Sequence, residues 1–223
     1  MTELTSTLTQ LASGLRFTLG IFALTLLFSI PLGLIVARGR MSKHKIVAGL
    51  VRIYISIMRG TPLMLQLLLV YFGPYYIFGV KLGDLDIGPF KYRFVATIIG
   101  FSLNYAAYFA EIFRAGIQSM PVGQYEAAQI LGFTKAQTFF RIILPQVIKR
   151  VLPAVTNEVI TLVKDTSLAQ VLAVTEMFTT AKNLASAQVS VMPFIVAGVF
   201  YYVMNGIIEI VMNRAEKSMA YYQ

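Results

Sequence analysis

The chain contains no cysteine, a single histidine and few charges. Without cysteine there is no disulfide, no thiolate nucleophile and no Cys-ligated zinc, while the redox compartment stays open. His44 stands alone in a basic stretch, without partners for a metal site or a catalytic pair, and reads as a solvated or interfacial residue. Only 13% of the 223 residues are charged, against about 25% in an ordinary soluble domain. Two kinds of motif are missing as well. No G-x-x-x-x-G-K-[ST] phosphate loop occurs, since Gly132-Phe133-Thr134-Lys135 shares only a Gly and a Lys with it. Neither an H-E-x-x-H helix nor a nucleophile-base-orienter set is visible, so the chain reads as neither an ATPase nor another enzyme.

What is abundant is apolar. Hydrophobic residues make up 57% of the chain and the mean hydropathy is +0.71, which calls for lipid as solvent. The length suits about five membrane spans in one domain covering residues 1–223. No internal repeat, low-complexity tract or domain linker appears. The net charge of +9 would suit a nucleic-acid partner, but its distribution speaks against one. Basic residues cluster beside apolar segments, at Arg38, Arg40, Lys43, Lys45 and Arg52, and again at Lys135, Arg141, Lys149 and Arg150. Such clusters encode membrane topology.

The first span is expected from Gly14 to Ala37, long enough to cross and followed by Arg38-Gly39-Arg40 instead of a cleavage site. Lys43 to Arg59 has apolar positions at helical spacing among basic ones, the pattern of a helix lying on the membrane surface. Thr61 is expected to cap a second span, Pro62 to Phe78, and Gly79 to Arg93 reads as a loop. A third span is expected from Phe94 to Gln118, a polar insert from Pro121 to about Arg150, a fourth span from Leu152 to Thr175 starting at Pro153, and a fifth from Val191 to Met212. The insert should break near Gly132. Tyr71, Tyr75 and Tyr76 read as an interfacial aromatic belt. Most Lys and Arg residues fall in the stretches after spans one and three and in the tail; Arg16, Lys81, Lys91, Arg93 and Lys182 lie on the other side. The bias puts the N-terminus outside, with the insert and the C-terminus in the cytoplasm.

The fourth span carries Asn157, Glu158, Thr161, Lys164 and Asp165 within an arc of about 120° at 100° per residue. Each charge near mid-bilayer costs roughly 2.5 to 3.5 kcal/mol on insertion scales, so this face must meet protein or a water-filled cavity. Asn104, Tyr108 and Glu111 share a face of the third span and can line the same space. The competing reading is mutual neutralisation: Glu111 with Arg114, and Lys164 with a carboxylate on a neighbouring helix. Two acids against one lysine favour a pathway role for Glu158 and Asp165.

Inside the insert, Glu126-Ala127-Ala128, Gly132, Ile142, Leu144 and Pro145 give EAA-x3-G-x9-I-x-L-P. Arg59-Gly60-Thr61-Pro62, Tyr108 to Ile117 and Lys164-Asp165-Thr166-Ser167-Leu168 follow a second shared pattern. Together, in this order, they resemble the polar amino acid branch of the permease subunits of bacterial binding-protein-dependent ABC importers. The resemblance implies an all-α membrane protein of type I importer architecture. It implies a second copy or related permease beside this one in the bacterial plasma membrane, cytoplasmic ATPases that bind ATP and Mg, and an extracytoplasmic amino acid binding protein. It also implies that Glu126, Ala127, Ala128 and Gly132 belong to coupling helices seated in the ATPase. For a zwitterionic substrate, Glu158 and Asp165 can meet the ammonium, and Asn157, Thr161 or Asn104 the carboxylate, with a weaker part for Tyr108. The excess acid suggests arginine, lysine or histidine. An ion-gradient-driven transporter or channel, or a scaffold for the ATPase, is the alternative.

Overall fold

The structure is a computed structural model that describes residues 2–79, 86–87 and 90–219. Helix α1 runs Thr2–Arg40 and is followed by α2, Lys45–Gly60, and α3, Leu63–Phe78. Two short strands, β1 (Asp86–Ile87) and β2 (Phe90–Lys91), pair antiparallel before α4, Tyr92–Gln118. The insert holds α5, Val122–Ile130, and α6, Lys135–Gln137, which runs through a π-helical segment, Thr138–Ile143, into α7, Leu144–Asp165. A 3-10 segment, Thr166–Leu172, then α8, Met177–Gln188, and α9, Met192–Ser218, complete the chain.

The all-helical membrane architecture follows the sequence reading, but the expected five apolar spans do not all emerge. Among the described residues three helices are long and apolar enough to cross, α1, α4 and α9, and a fourth span arises if α2 and α3, bent by 112°, count as one broken crossing. Helix α7 has the length but not the composition, because it carries Lys149, Arg150, Glu158, Lys164 and Asp165. It also ends at Asp165, short of the expected Thr175. Thr166 Oγ1 and Ser167 Oγ donate to the Val163 and Lys164 carbonyls at 2.7 and 2.8 Å. Side-chain bonds to nearby carbonyls compete with the helical ladder, and the chain tightens to 3-10 until Ala173, at φ 53°, stops it. Pro153 lies inside α7 instead of at a first turn.

Helix α1 begins twelve residues before the apolar run because tertiary contacts hold its polar start. Leu11 is fully buried against Met177, Ala181 and Leu184 of α8, and Gln188 Nε2 donates to Thr7 Oγ1 at 3.2 Å. One stripe of α1, with Thr18, Ile21, Thr25, Ser29 and Ala37, is buried from end to end. Small residues let helices approach closely in lipid: a Cβ on Gly33 would stand 2.9 Å from the Phe109 Cβ of α4. Helix α8 escaped the sequence reading. Its N-cap, Glu176, is fully buried and accepts from Phe178 N and Thr179 N, both at 2.6 Å, and from the Tyr201 hydroxyl at 3.2 Å.

At the insert end, Gly116 of α4 lies against Val147 and Val151 of α7, and a Cβ there would come within 2.2 Å of Val151 Cγ1. Valine is stiff at χ1 and cannot swing away. Gly116→Ala is therefore expected to cost about 1 to 3 kcal/mol by overpacking, and Val151→Ala in the same chain to return most of it. Thermal unfolding of the single and double variants in detergent checks this; two costs that simply add would contradict the contact.

Thr61 does not cap α3 as expected. Its hydroxyl bonds back to the Ile57 carbonyl at 2.8 Å, closing α2, while Pro62 takes the N-cap place without a side-chain bond. The bend is braced instead by Gln66, whose Nε2 donates to Met58 O, Thr61 O and Thr61 Oγ1 at 3.0, 3.1 and 2.8 Å. Helix α2 leaves Ile46, Leu50, Ile53 and Ile57 exposed, in keeping with a helix on a lipid surface. Tyr71 stacks on Tyr92 at 5.4 Å and Tyr75 meets Tyr76 edge-on at 5.3 Å. Of the loop expected from Gly79 to Arg93, Gly83, Asp84, Gly88 and Pro89 lie outside the described residues.

Candidate functional site: a polar face and a helical insert

Helix α7 buries Val159, Leu162 and Val163 and turns its polar arc the other way. Asn157 and Lys164 are exposed, and Glu158, Thr161 and Asp165 half-buried. The arc is thus an open face of this chain. Thr161 Oγ1 donates to the Asn157 carbonyl at 2.9 Å, which leaves its oxygen able to accept. Lys164 forms no ion pair among the described residues.

Helix α4 packs beside α7 and brings tyrosines to the arc. The hydroxyl of Tyr105, a buried residue that sequence reasoning missed, donates to Asp165 Oδ2 at 2.7 Å. Tyr105 reads as core by its apolar neighbours, and only the α4–α7 contact reveals its polar end. Its ring lies 6.2 Å from that of Tyr108, and the guanidinium carbon of Arg59 stands 5.2 Å over the Tyr108 ring. The charge of Arg59 also acts on Glu158. Arg59 was visible in the sequence only as part of a motif before a span. The α2–α3 bend carries it to the arc.

Asn104 sits apart from this group. It is 4% exposed, and its Nδ2 donates to Met58 O at 3.0 Å and to Gln66 Oε1 at 2.9 Å, on the inner side of the bend. Glu111 is also engaged: Arg114 donates to it at 3.1, 3.2 and 2.6 Å, and Arg40 Nε lies 3.9 Å away. The expected Glu111–Arg114 pair is therefore present. Glu158, Asp165, Tyr108 and Thr161 form one neighbourhood, with Arg59 and Tyr105 added to it. An array of two carboxylates, a guanidinium and hydroxyls offers acceptors for a cation and donors for an anion.

The insert is built as a turn between two helices. Gly132, at φ +76°, ends α5, where its N–H donates to Gln129 O at 3.0 Å and Phe133 N donates to Ala128 O at 3.0 Å. That pair of bonds is the glycine-ended helix stop in which a left-handed residue follows the cap. Thr134 then starts α6 with a reciprocal capping box to Gln137. Ala128 is buried while Glu126 and Ala127 remain exposed. Gln124 and Gln146 exchange side-chain bonds at 2.9 and 2.6 Å, and Arg150 donates to the Ser119 carbonyl at 2.7 Å. These bonds tie α5 and the end of α4 to the start of α7.

Residues 29–221 match the family described as the binding-protein-dependent transport system inner membrane component. The chain belongs to this family. Among relatives of this permease are the L-cystine transport system permease protein TcyB of Bacillus subtilis, 35% identical over 95% of this chain and 87% of that one, and the arginine transport system permease protein ArtQ of the same organism, 33% identical over 92% of this chain and 90% of that one. A crystal structure described as an amino acid ABC transporter with histidines superposes with a TM-score of 0.84 at 33% identity, covering 96% of both chains. The permease thus shares its length and helix arrangement with amino acid ABC importers.

Proposed function

We propose that the chain is the membrane subunit of an ATP-driven importer of polar amino acids, with a preference for cationic ones. The reading makes residues 1–223 one transmembrane domain in which α7 crosses as a fifth span, its polar arc lining the substrate path. The observation that carries it is the open, charged face of α7: exposed charges on a membrane helix need a protein or aqueous partner. A second permease copy or a related chain facing this one supplies the far wall. In this reading Glu158 and Asp165 receive ammonium and cationic side-chain groups, with Asn157, Thr161 and Tyr108 around them, and Arg59 takes the carboxylate. Asn104 acts at the bend.

The basic clusters at Arg38, Arg40, Lys135, Arg141, Lys149 and Arg150 support an insert in the cytoplasm and an N-terminus outside. There Glu126, Ala127, Ala128 and Gly132 seat in an ATPase that binds ATP and Mg, and closure of the ATPase pair swings the spans from inward- to outward-facing. An extracytoplasmic binding protein delivers the substrate. Relatives handle different substrates, L-cystine and arginine by their names, so the cationic preference rests on the charge of the arc alone.

Uptake of radiolabelled arginine into proteoliposomes holding the permease, its ATPase and its binding protein tests the reading. ATP-dependent, vanadate-sensitive uptake is expected; uptake driven by an ion gradient without any ATPase would overturn it. Glu158→Gln is expected to weaken arginine binding to the purified complex at least tenfold, and unchanged affinity would remove the cationic preference while leaving the importer reading intact.

A further inference from the structure

The end of the permease opposite the insert carries a cationic cavity that the transport reading does not use. It measures about 410 Å³ and is lined by Phe17 of α1, Lys91, Arg93 and Phe94 at the start of α4, and Ala173 to Thr175. Lys91 is the N-cap residue of α4, makes no cap bond and is exposed. Arg93 gives one guanidinium bond to the Ala173 carbonyl at 3.2 Å, and its Nε is buried with no hydrogen-bond partner among the described residues. The N-terminus of a 27-residue helix adds positive potential at the same place. Lys91 stands in register with Asp86 of β1, but Arg93, its unspent buried N–H and the helix N-terminus still call for an anion.

Directly beside it lies an apolar groove of about 510 Å³ between α1 and α4. Phe94 lines both spaces. Phe17 of the cavity and Leu24, Phe28 and Leu32 of the groove fall on one stripe of α1, and Phe28 and Ile99 are half exposed. From Phe94 to Leu103 the groove follows α4 for about 13 Å at 1.5 Å per residue, close to the depth of one leaflet in a hydrocarbon core about 30 Å thick. A polar cationic head space adjoining an apolar trough one leaflet deep, with Phe94 as their shared wall, has the shape and charge of a single phospholipid.

We propose that this end of the permease binds an anionic glycerophospholipid, its phosphate on Lys91 and Arg93 and an acyl chain along the α1–α4 groove. The lipid would tie α1 to α4 and to the link before α8, far from the docking insert. A soluble anion fits the head space but leaves the groove bare. An acidic side chain of a protein partner does the same.

The test uses the permease purified with its ATPase, equilibrated with vesicles of equal phosphatidylglycerol and phosphatidylcholine, repurified and extracted for lipid. Enrichment in phosphatidylglycerol is expected, and the Lys91→Gln, Arg93→Gln double variant should reduce it about thirtyfold, taking each basic residue at its usual worth beside an anionic headgroup. Ile99→Trp, which fills the groove and keeps both cations, should lower total retained phosphatidylglycerol; it serves as the second test if the double variant does not fold. Equal retention of the two lipids, or enrichment unchanged in both variants, overturns the proposal. Competition by glycerol phosphate as effective as that by phosphatidylglycerol would make the site a free-anion site, and also overturns it. So does a double variant that keeps its lipid but loses stimulation of ATP hydrolysis by the binding protein, since the cations would then face a protein.

Discussion

Glu126→Arg is expected to leave the permease folded and to reduce ATP-driven uptake by roughly a hundredfold or more. Glu126 is exposed on α5 and its side chain bonds to nothing among the described residues, whereas Ala128 behind it is buried and Gly132 shapes the stop. Its charge is therefore spent outward. In the proposed assembly it meets a basic residue of the ATPase, and removing one member of a desolvated charge pair costs about 2 to 5 kcal/mol, with reversal adding repulsion; each 1.4 kcal/mol is about tenfold. The measurement is co-purification of the ATPase together with uptake in proteoliposomes. Normal coupling in Glu126→Arg would place the docking contact elsewhere on the insert. A permease with unchanged thermal stability that no longer retains the ATPase is the expected outcome.

Asn104→Leu is expected to destabilise the permease by about 1 to 3 kcal/mol, because the buried Gln66 Oε1 loses its donor. Met58 O and Gln66 Oε1 both accept from Asn104 Nδ2, and they sit where α2 and α3 meet at 112°. Met58 O keeps its bond from Gln66 Nε2, so little is added there. Changing Gln66 to leucine as well removes the stranded amide oxygen but also its bonds to Met58 and Thr61, so the double variant should still be destabilised, by less than the two single costs added together. Thermal unfolding of the two single variants and the double variant in detergent measures this coupling. A stable Asn104→Leu permease with weakened substrate binding would instead make Asn104 a ligand, as the sequence pattern suggests.

Much of this molecule could be read before any coordinates. Apolar runs announced α1, α4 and α9, and Gly132 marked the turn in the insert, because lipid burial and left-handed backbone leave strong local signatures. Boundaries were harder. Nothing local tells Leu11 or Thr7 to stay helical; α8 does, and α8 itself is a short amphipathic piece held by the buried Glu176 cap. A new helix starting near Pro62 after the surface helix was expected, but the brace at the bend was not, since Gln66 and Asn104 are far apart in the chain and meet only in the fold. The polar arc was legible from helical spacing alone. Tyr105 and Arg59 were not, because one looks like core and the other like a topology signal until α4 and the bend bring them to α7.

The absence of cysteine makes the central claim directly measurable. A single Asn157→Cys substitution on the exposed side of α7 introduces the only thiol in the chain, and its rate of reaction with a charged, water-soluble thiosulfonate reports whether that face meets water. In the assembled importer, rapid labelling that slows when arginine is added is the expected result. Labelling by a lipid-soluble maleimide alone, at a rate arginine does not change, would mean that the arc faces the bilayer and would contradict its place in the substrate path.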